Sequence, residues 1–131
     1  MKDIIVDDLQ NTVEEFLIRH KSILDIMTKI QESSARLNRA VAKSVTECGC
    51  IKINASKQQI PPETSLKEAH KFIKSHVEGK LCENCKEVIE AELANNIFYL
   101  IALCNELDLN FYDILLQKNK ELHTLGVFNM F

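Results

Sequence analysis

Two pairs of cysteines set the strongest constraint on how this chain folds: Cys48-Gly49-Cys50, and Cys82 with Cys85 in a CxxC. The first pair closes a stretch with helical periodicity and the second opens another. If the sulfurs act together, the end of one helix must return to the start of the next. Tetrahedral Zn²⁺ takes four soft donors at roughly 2.3 Å, and a CxxC at a helix N-terminus offers two sulfurs on one turn, where the helix dipole favours thiolates. Gly49 suits the tight turn that a one-residue spacer demands. The expected metal ligands are therefore Cys48, Cys50, Cys82 and Cys85, with structural zinc as the cofactor. Two other readings of the same residues stay open: a thiol/disulfide redox pair at Cys82 and Cys85, and plain reduced cysteines. A catalytic zinc fits less well, because four thiolates leave no position for water and His20, His70, His76 and His123 form no HExxH pattern. Cys104 falls on an apolar stripe and reads as core.

The periodicity itself predicts an all-α fold. Leu9, Val13, Phe16 and Leu17 give a first amphipathic helix over 7–19. From Ser22, an N-cap residue, the positions Ile23, Met27, Ile30, Ser34, Leu37, Val41 and Val45 alternate steps of four and three, the seam of a long bundle helix reaching about Glu47. Gly49 breaks it, and the polar run to Pro61 and Pro62 reads as a long Cys-bearing connection. A third helix is expected after Thr64 or Ser65, with Leu66, Ala69, Phe72, Ile73 and Val77 inward and Gly79 as its stop. The core helix follows from Cys82, lined by Val88, Ile89, Leu93, Ile97, Leu100, Ile101, Cys104 and Leu107. Asn110 caps a last helix carrying Ile114, Leu115, Lys118 and Leu122, which Gly126 ends. The apolar VFNMF beyond it is expected to pack on a partner helix or subunit.

With 131 residues, 46% of them hydrophobic and 27% charged, the chain suits one globular domain, 1–131, of four to five helices. The formal net charge of −3 and the absence of Trp disfavour nucleic-acid binding. MKDIIVDDLQ has no basic region followed by a long apolar run, and no segment approaches a membrane span. Five cysteines without an export signal point to a reducing, cytoplasmic setting.

The segment 92–126, ELANNIFYLIALCNELDLNFYDILLQKNKELHTLG, resembles the last two helices of the MazG-like all-α nucleoside triphosphate pyrophosphohydrolases, with their ELGDxLFYL-like core helix and short following turn. Upstream, IQESSARLNRAVAK at 30–43 stands where that family carries EExGELxEA, with Leu37 and Ala40 matching. The resemblance spans about residues 22–126, after an N-terminal helix in 1–21. It implies a MazG-like helical bundle, a homodimer, and Mg²⁺ held by an ExxE and an ExxD on facing helices to hydrolyse a nucleotide. Carried over, Glu92 matches the first acid of ExxD, but Asn95 replaces its Asp, and Ser33 and Arg36 replace the ExxE glutamates. Glu32 is a neighbouring acid outside the motif. The expectation is a degenerate site in which Arg36 pairs with Glu92 where the metal would sit, and a chain that acts as a zinc-stabilised dimeric binding or regulatory module. The alternatives are an active enzyme using Glu92, Glu32 and Glu90 on Mg²⁺, and a thiol-based sensor. Asp25 with Glu32, and the row Glu83, Glu87 and Glu90, read as solvated faces, as do Lys29, Lys118 and Lys120.

Overall fold

The computed structural model describes residues 2–125. Its helices are α1 (Lys2–Phe16), α2 (Ile23–Lys43), the one-turn α3 (Leu66–Ala69), α4 (Glu83–Glu106) and α5 (Phe111–Leu125). Two short strands, β1 (Ile51–Ile53) and β2 (Val77–Gly79), form an antiparallel ribbon. The fold is thus dominated by helices, as the periodicity predicts. Among the described residues no helix is long and apolar enough to cross a membrane. Gly126 and the VFNMF segment, expected to stop α5 and to pack on a partner, lie outside the described residues.

The frame is the antiparallel packing of α2 on α4, by far the most extensive contact between elements. Ser22 starts α2 by accepting the N–H of Leu24 at 3.3 Å, and Asp25 and Lys43 complement the dipole at its two ends. The seam that α2 buries is Ile26, Ile30, Ser33, Leu37, Ala40 and Ser44, with Ile26, Ser33 and Ser44 fully enclosed. This is rotated from the expected seam: Ile23, Met27 and Val41 stay exposed. A helix with two apolar stripes cannot tell from its own sequence which one α4 will cover. Polar chemistry favours the observed one, because Asn96 of α4, half-buried, donates to the enclosed Ser33 and to Ser34, each at 2.9 Å. In α4 likewise, Ile101, Ala102 and Cys104 are buried, whereas Val88, Leu93, Ile97, Leu100 and Leu107 remain exposed.

The first helix starts and ends earlier than expected, at Lys2–Phe16, and packs on the C-terminal half of α4 and on α5. Val13 and Leu17 join Ile26, Ile101 and Ala102 in the core, flanked by Phe98, Tyr99 and Phe111. Gln10, buried in this contact, donates to Asn105 at 2.9 Å and to the Leu109 carbonyl at 2.8 Å, and accepts the Phe111 N–H at 2.8 Å. One side chain so satisfies both ends of the α4–α5 turn. Asn110 caps α5 as expected, accepting the N–H of Asp113 at 2.8 Å.

The third helix is corrected most. Only Leu66–Ala69 is helical, capped by Ser65, and the chain then opens so that Val77–Gly79 pairs with Ile51–Ile53. Leu66, Phe72, Ile73 and Val77, expected inward, are exposed. Three-residue strands carry too little periodicity to be read from sequence, and the pairing of segments so far apart is a tertiary event.

Truncation of the enclosed Ile101 to Ala leaves a cavity beside Val13 and Ile26, and urea unfolding should show a loss of about 2–5 kcal/mol.

Candidate metal centre

The ribbon dictates where the cysteines meet. Ile51 pairs with Gly79 and Ile53 with Val77, and the same register run on three residues sets Cys48 opposite Cys82. The Cys48 and Cys82 sulfurs stand 3.7 Å apart. The sulfurs of Cys48, Cys50, Cys82 and Cys85 all lie within 4.8 Å of one another. Four donors at 2.3 Å around a tetrahedral ion are separated by about 3.8 Å, so the cluster is compatible with one such ion and needs only small shifts to hold it. All five cysteines are free thiols. The four expected ligands come together, and Cys104 is buried elsewhere in the core, as its place on the stripe predicts.

Each pair is built by its own local device. After Lys43 the helix widens into a π-helical turn, Ser44–Cys48, closed by the Gly49 N–H on the Ser44 carbonyl at 2.9 Å. π turns are rare and tend to mark functional sites. Gly49 exits with φ 78°, a left-handed conformation, which turns Cys50 back to the side of Cys48. On the other strand, Gly79 has φ 88°, and a Cβ there would lie 2.7 Å from the Cys50 carbonyl oxygen. Glycine at 79 is what lets the second pair approach the first. Cys82 is itself the N-cap of α4: its sulfur accepts the Cys85 N–H at 3.4 Å.

These contacts spread the thiol acidities. The Cys85 N–H, with the thiols of Cys85 and Cys48, stabilises the Cys82 thiolate and brings its pKa down to about 7. Cys85, whose proton is held by Cys82 and whose charge is disfavoured by burial, is pushed up to about 12. The Cys82 sulfur is ready as a thiolate near neutrality, and Cys85 must surrender its proton to a metal.

The carboxylates do not assemble in this way. Glu92 and Arg36 form a two-point ion pair, with Nε to Oε2 at 3.0 Å and Nη2 to Oε1 at 3.4 Å. The hydrogen bond that Arg36 donates to Glu92 raises the guanidinium pKa further. Glu32 is exposed and paired with Lys29 at 3.2 Å, Asp25 lies 3.8 Å from His20, and Glu90 lies 3.9 Å from Lys86. Ser33 hydrogen-bonds Asn96, the neighbour of Asn95. Among the described residues the four cysteines are the one group of three or more metal-ligating side chains. Sequence reasoning missed the Asn96–Ser33 contact and the Gly79 approach; a glycine directly before a CxxC is the trace that could have pointed to the latter.

None of the protein-family models, curated proteins or solved structures compared with the chain matches it.

Three outcomes follow. Gly79→Ala should separate the sulfur pairs and lower metal affinity at a cost above about 2 kcal/mol, whereas Gly49→Ala, which meets open space, costs about 1 kcal/mol; metal titration of both variants checks this. In metal-free protein, iodoacetamide should modify Cys82 before Cys85 between pH 7 and 8, and its reaction should fade as pH falls through about 7; peptide mass mapping reads the order. Because binding expels thiol protons, apparent metal affinity should rise with pH across the same range.

Proposed function

We propose that this chain is a zinc-clipped helical binding module of a reducing compartment, related in fold to the MazG-like pyrophosphohydrolases and without their hydrolytic site. The observation that carries the proposal is the four-sulfur cluster, whose members all lie within 4.8 Å. Thiolates favour Zn²⁺ over Mg²⁺ or Ca²⁺, and four of them fill its tetrahedron, so the ion is structural. Its role is to tie the C-terminal end of α2 to the N-terminus of α4 and to close the long connection between the two strands.

The non-catalytic reading is supported by Arg36. A guanidinium bonded to Glu92 puts a cation where the family resemblance calls for a second acid, and Mg²⁺ needs an oxygen-rich cluster that Ser33, Arg36 and Asn95 do not supply. The sensor reading has support in the 3.7 Å approach of Cys48 to Cys82 and in the exposure of Cys48.

Elemental analysis of protein purified without added metal should find one zinc per chain, lost in Cys85→Ser, and zinc at a hundredfold over its Kd should add about 2.7 kcal/mol to stability. Incubation with nucleoside triphosphates and Mg²⁺ should release no pyrophosphate. Absence of zinc overturns the clip. Turnover abolished by Glu92→Gln or Glu32→Gln restores the enzyme, and zinc release by mild peroxide with reversible loss of structure favours the sensor.

A further inference from the structure

We infer that the long connection between the two cysteine pairs holds a binding site for a small phosphate monoester, at the end of the ribbon away from the sulfurs. Residues 51–80 carry six lysines against three glutamates, although the whole chain has a formal net charge of −3. Part of that excess gathers at one place. A cavity of about 280 Å³ is lined by Lys57, Lys71, Lys74 and His76 together with Gln58 and Phe72, and among the described residues no carboxylate lines it. It shares no residue with the groove of Arg36 and Glu92.

The backbone builds this cavity in two steps. The N–H of Asn54 donates to the His76 carbonyl at 2.9 Å, which carries the ribbon one step beyond the Ile53–Val77 pair. Past that step Gln58 acts as a clamp: its amide donates to the Lys74 carbonyl at 2.8 Å and accepts the Lys74 N–H at 2.9 Å. The two ties hold segment 56–59 against segment 71–76, and the cavity lies between them. His76 takes φ 64°, a left-handed conformation uncommon for a residue with a Cβ, and strain of this kind gathers at ligand sites. Lys57, Lys71 and Lys74 form no ion pair with another described residue. Their charges repel one another across the cavity, and an anion between them relieves the repulsion.

The lining selects the ligand. A cleft of one sign concentrates counter-ions of the other, and three lysines with no acid call for an anion of more than one charge. A phosphate monoester carries about −1.5 to −2 at pH 7. Lysine meets such a group as a point charge, whereas a planar carboxylate is better matched by the arginine fork, and 51–80 contains no arginine. Phe72, 40% exposed, offers a ring face to the carbon skeleton of the ester. The volume is close to the lower limit of small-molecule sites, about 300 Å³. A nucleic-acid strand needs a longer basic groove with several stacking rings, and Phe72 is the one aromatic residue here. The inference gives the proposed binding module its ligand and so rests on that reading, but it does not require the zinc.

Titration of the isotope-labelled full chain with phenyl phosphate, followed by amide NMR shifts at fixed ionic strength with and without zinc, tests it. Shifts should centre on 56–59 and 71–76 and saturate with a Kd below about 1 mM. Lys71→Gln should weaken binding about tenfold, Phe72→Ala should weaken phenyl phosphate but not inorganic phosphate, and Lys118→Gln on α5 should change neither. No saturation by about 10 mM overturns the inference, as do shifts centred elsewhere or an affinity that Lys71→Gln leaves intact. Phenyl sulfate binding as tightly overturns the phosphate assignment, and a phosphopeptide or single-stranded oligonucleotide binding more tightly overturns the small ligand. If a variant fails to fold, the wild-type shift map decides by the same two outcomes. Ester binding by a chain that takes up no zinc removes the clip and keeps this site; zinc uptake with no ester binding does the reverse.

Discussion

The antiparallel contact of α2 on α4 is the constraint on which the rest of the molecule depends. It determines which stripe of α2 is buried, it aligns Arg36 with Glu92 and Ser33 with Asn96, and it brings the last turn of α2 level with the first turn of α4. Only because those ends are level can a ribbon of three residues per strand join them. The cysteine cluster is thus a consequence of helix packing, and the strands and the two positive-φ glycines perform the final adjustment of a few ångströms.

Polar groups do unusual duty in that contact and in the packing of α1 on α4 and α5. Ser33, Ser44 and Gln10 are among the most enclosed residues, and each is satisfied: Ser33 by Asn96 and the Ile30 carbonyl, Ser44 by the Val41 carbonyl, and Gln10 by Asn105, Leu109 and Phe111. Apolar contacts would tolerate a helix sliding or rotating within the seam, since both stripes of α2 are greasy. Hydrogen bonds of fixed length do not tolerate it, because a slipped register would part the enclosed Ser33 hydroxyl from Asn96, and leaving a buried polar group unpaired costs about 1–3 kcal/mol. The Arg36–Glu92 pair reinforces the same register from the rim. With Arg36 largely exposed its worth is small, and its effect on chemistry is greater than on stability: it keeps Glu92 engaged where a divalent ion would need it free.

The charged side chains of α2 lie along one flank of its buried seam. Zinc, in our proposal, ties one end of the hairpin, and the groove of Arg36, Arg39 and Lys43 lies along that flank.

The sequence by itself determined the long helices, because periodicity of 3.6 and capping by Ser22 and Asn110 are local physics. It also determined that four cysteines at helix ends could converge, and that Glu92 would face an arginine rather than an acid. Tertiary structure decided which of two apolar stripes on α2 and α4 is core, since both satisfy the same spacing and contacts between the helices, such as Asn96 with Ser33 and Arg36 with Glu92, distinguish them. It likewise turned the expected third helix into a single turn and a strand: Val77–Gly79 gains its hydrogen bonds from Ile51–Ile53, a partner that no local reading of 64–79 contains.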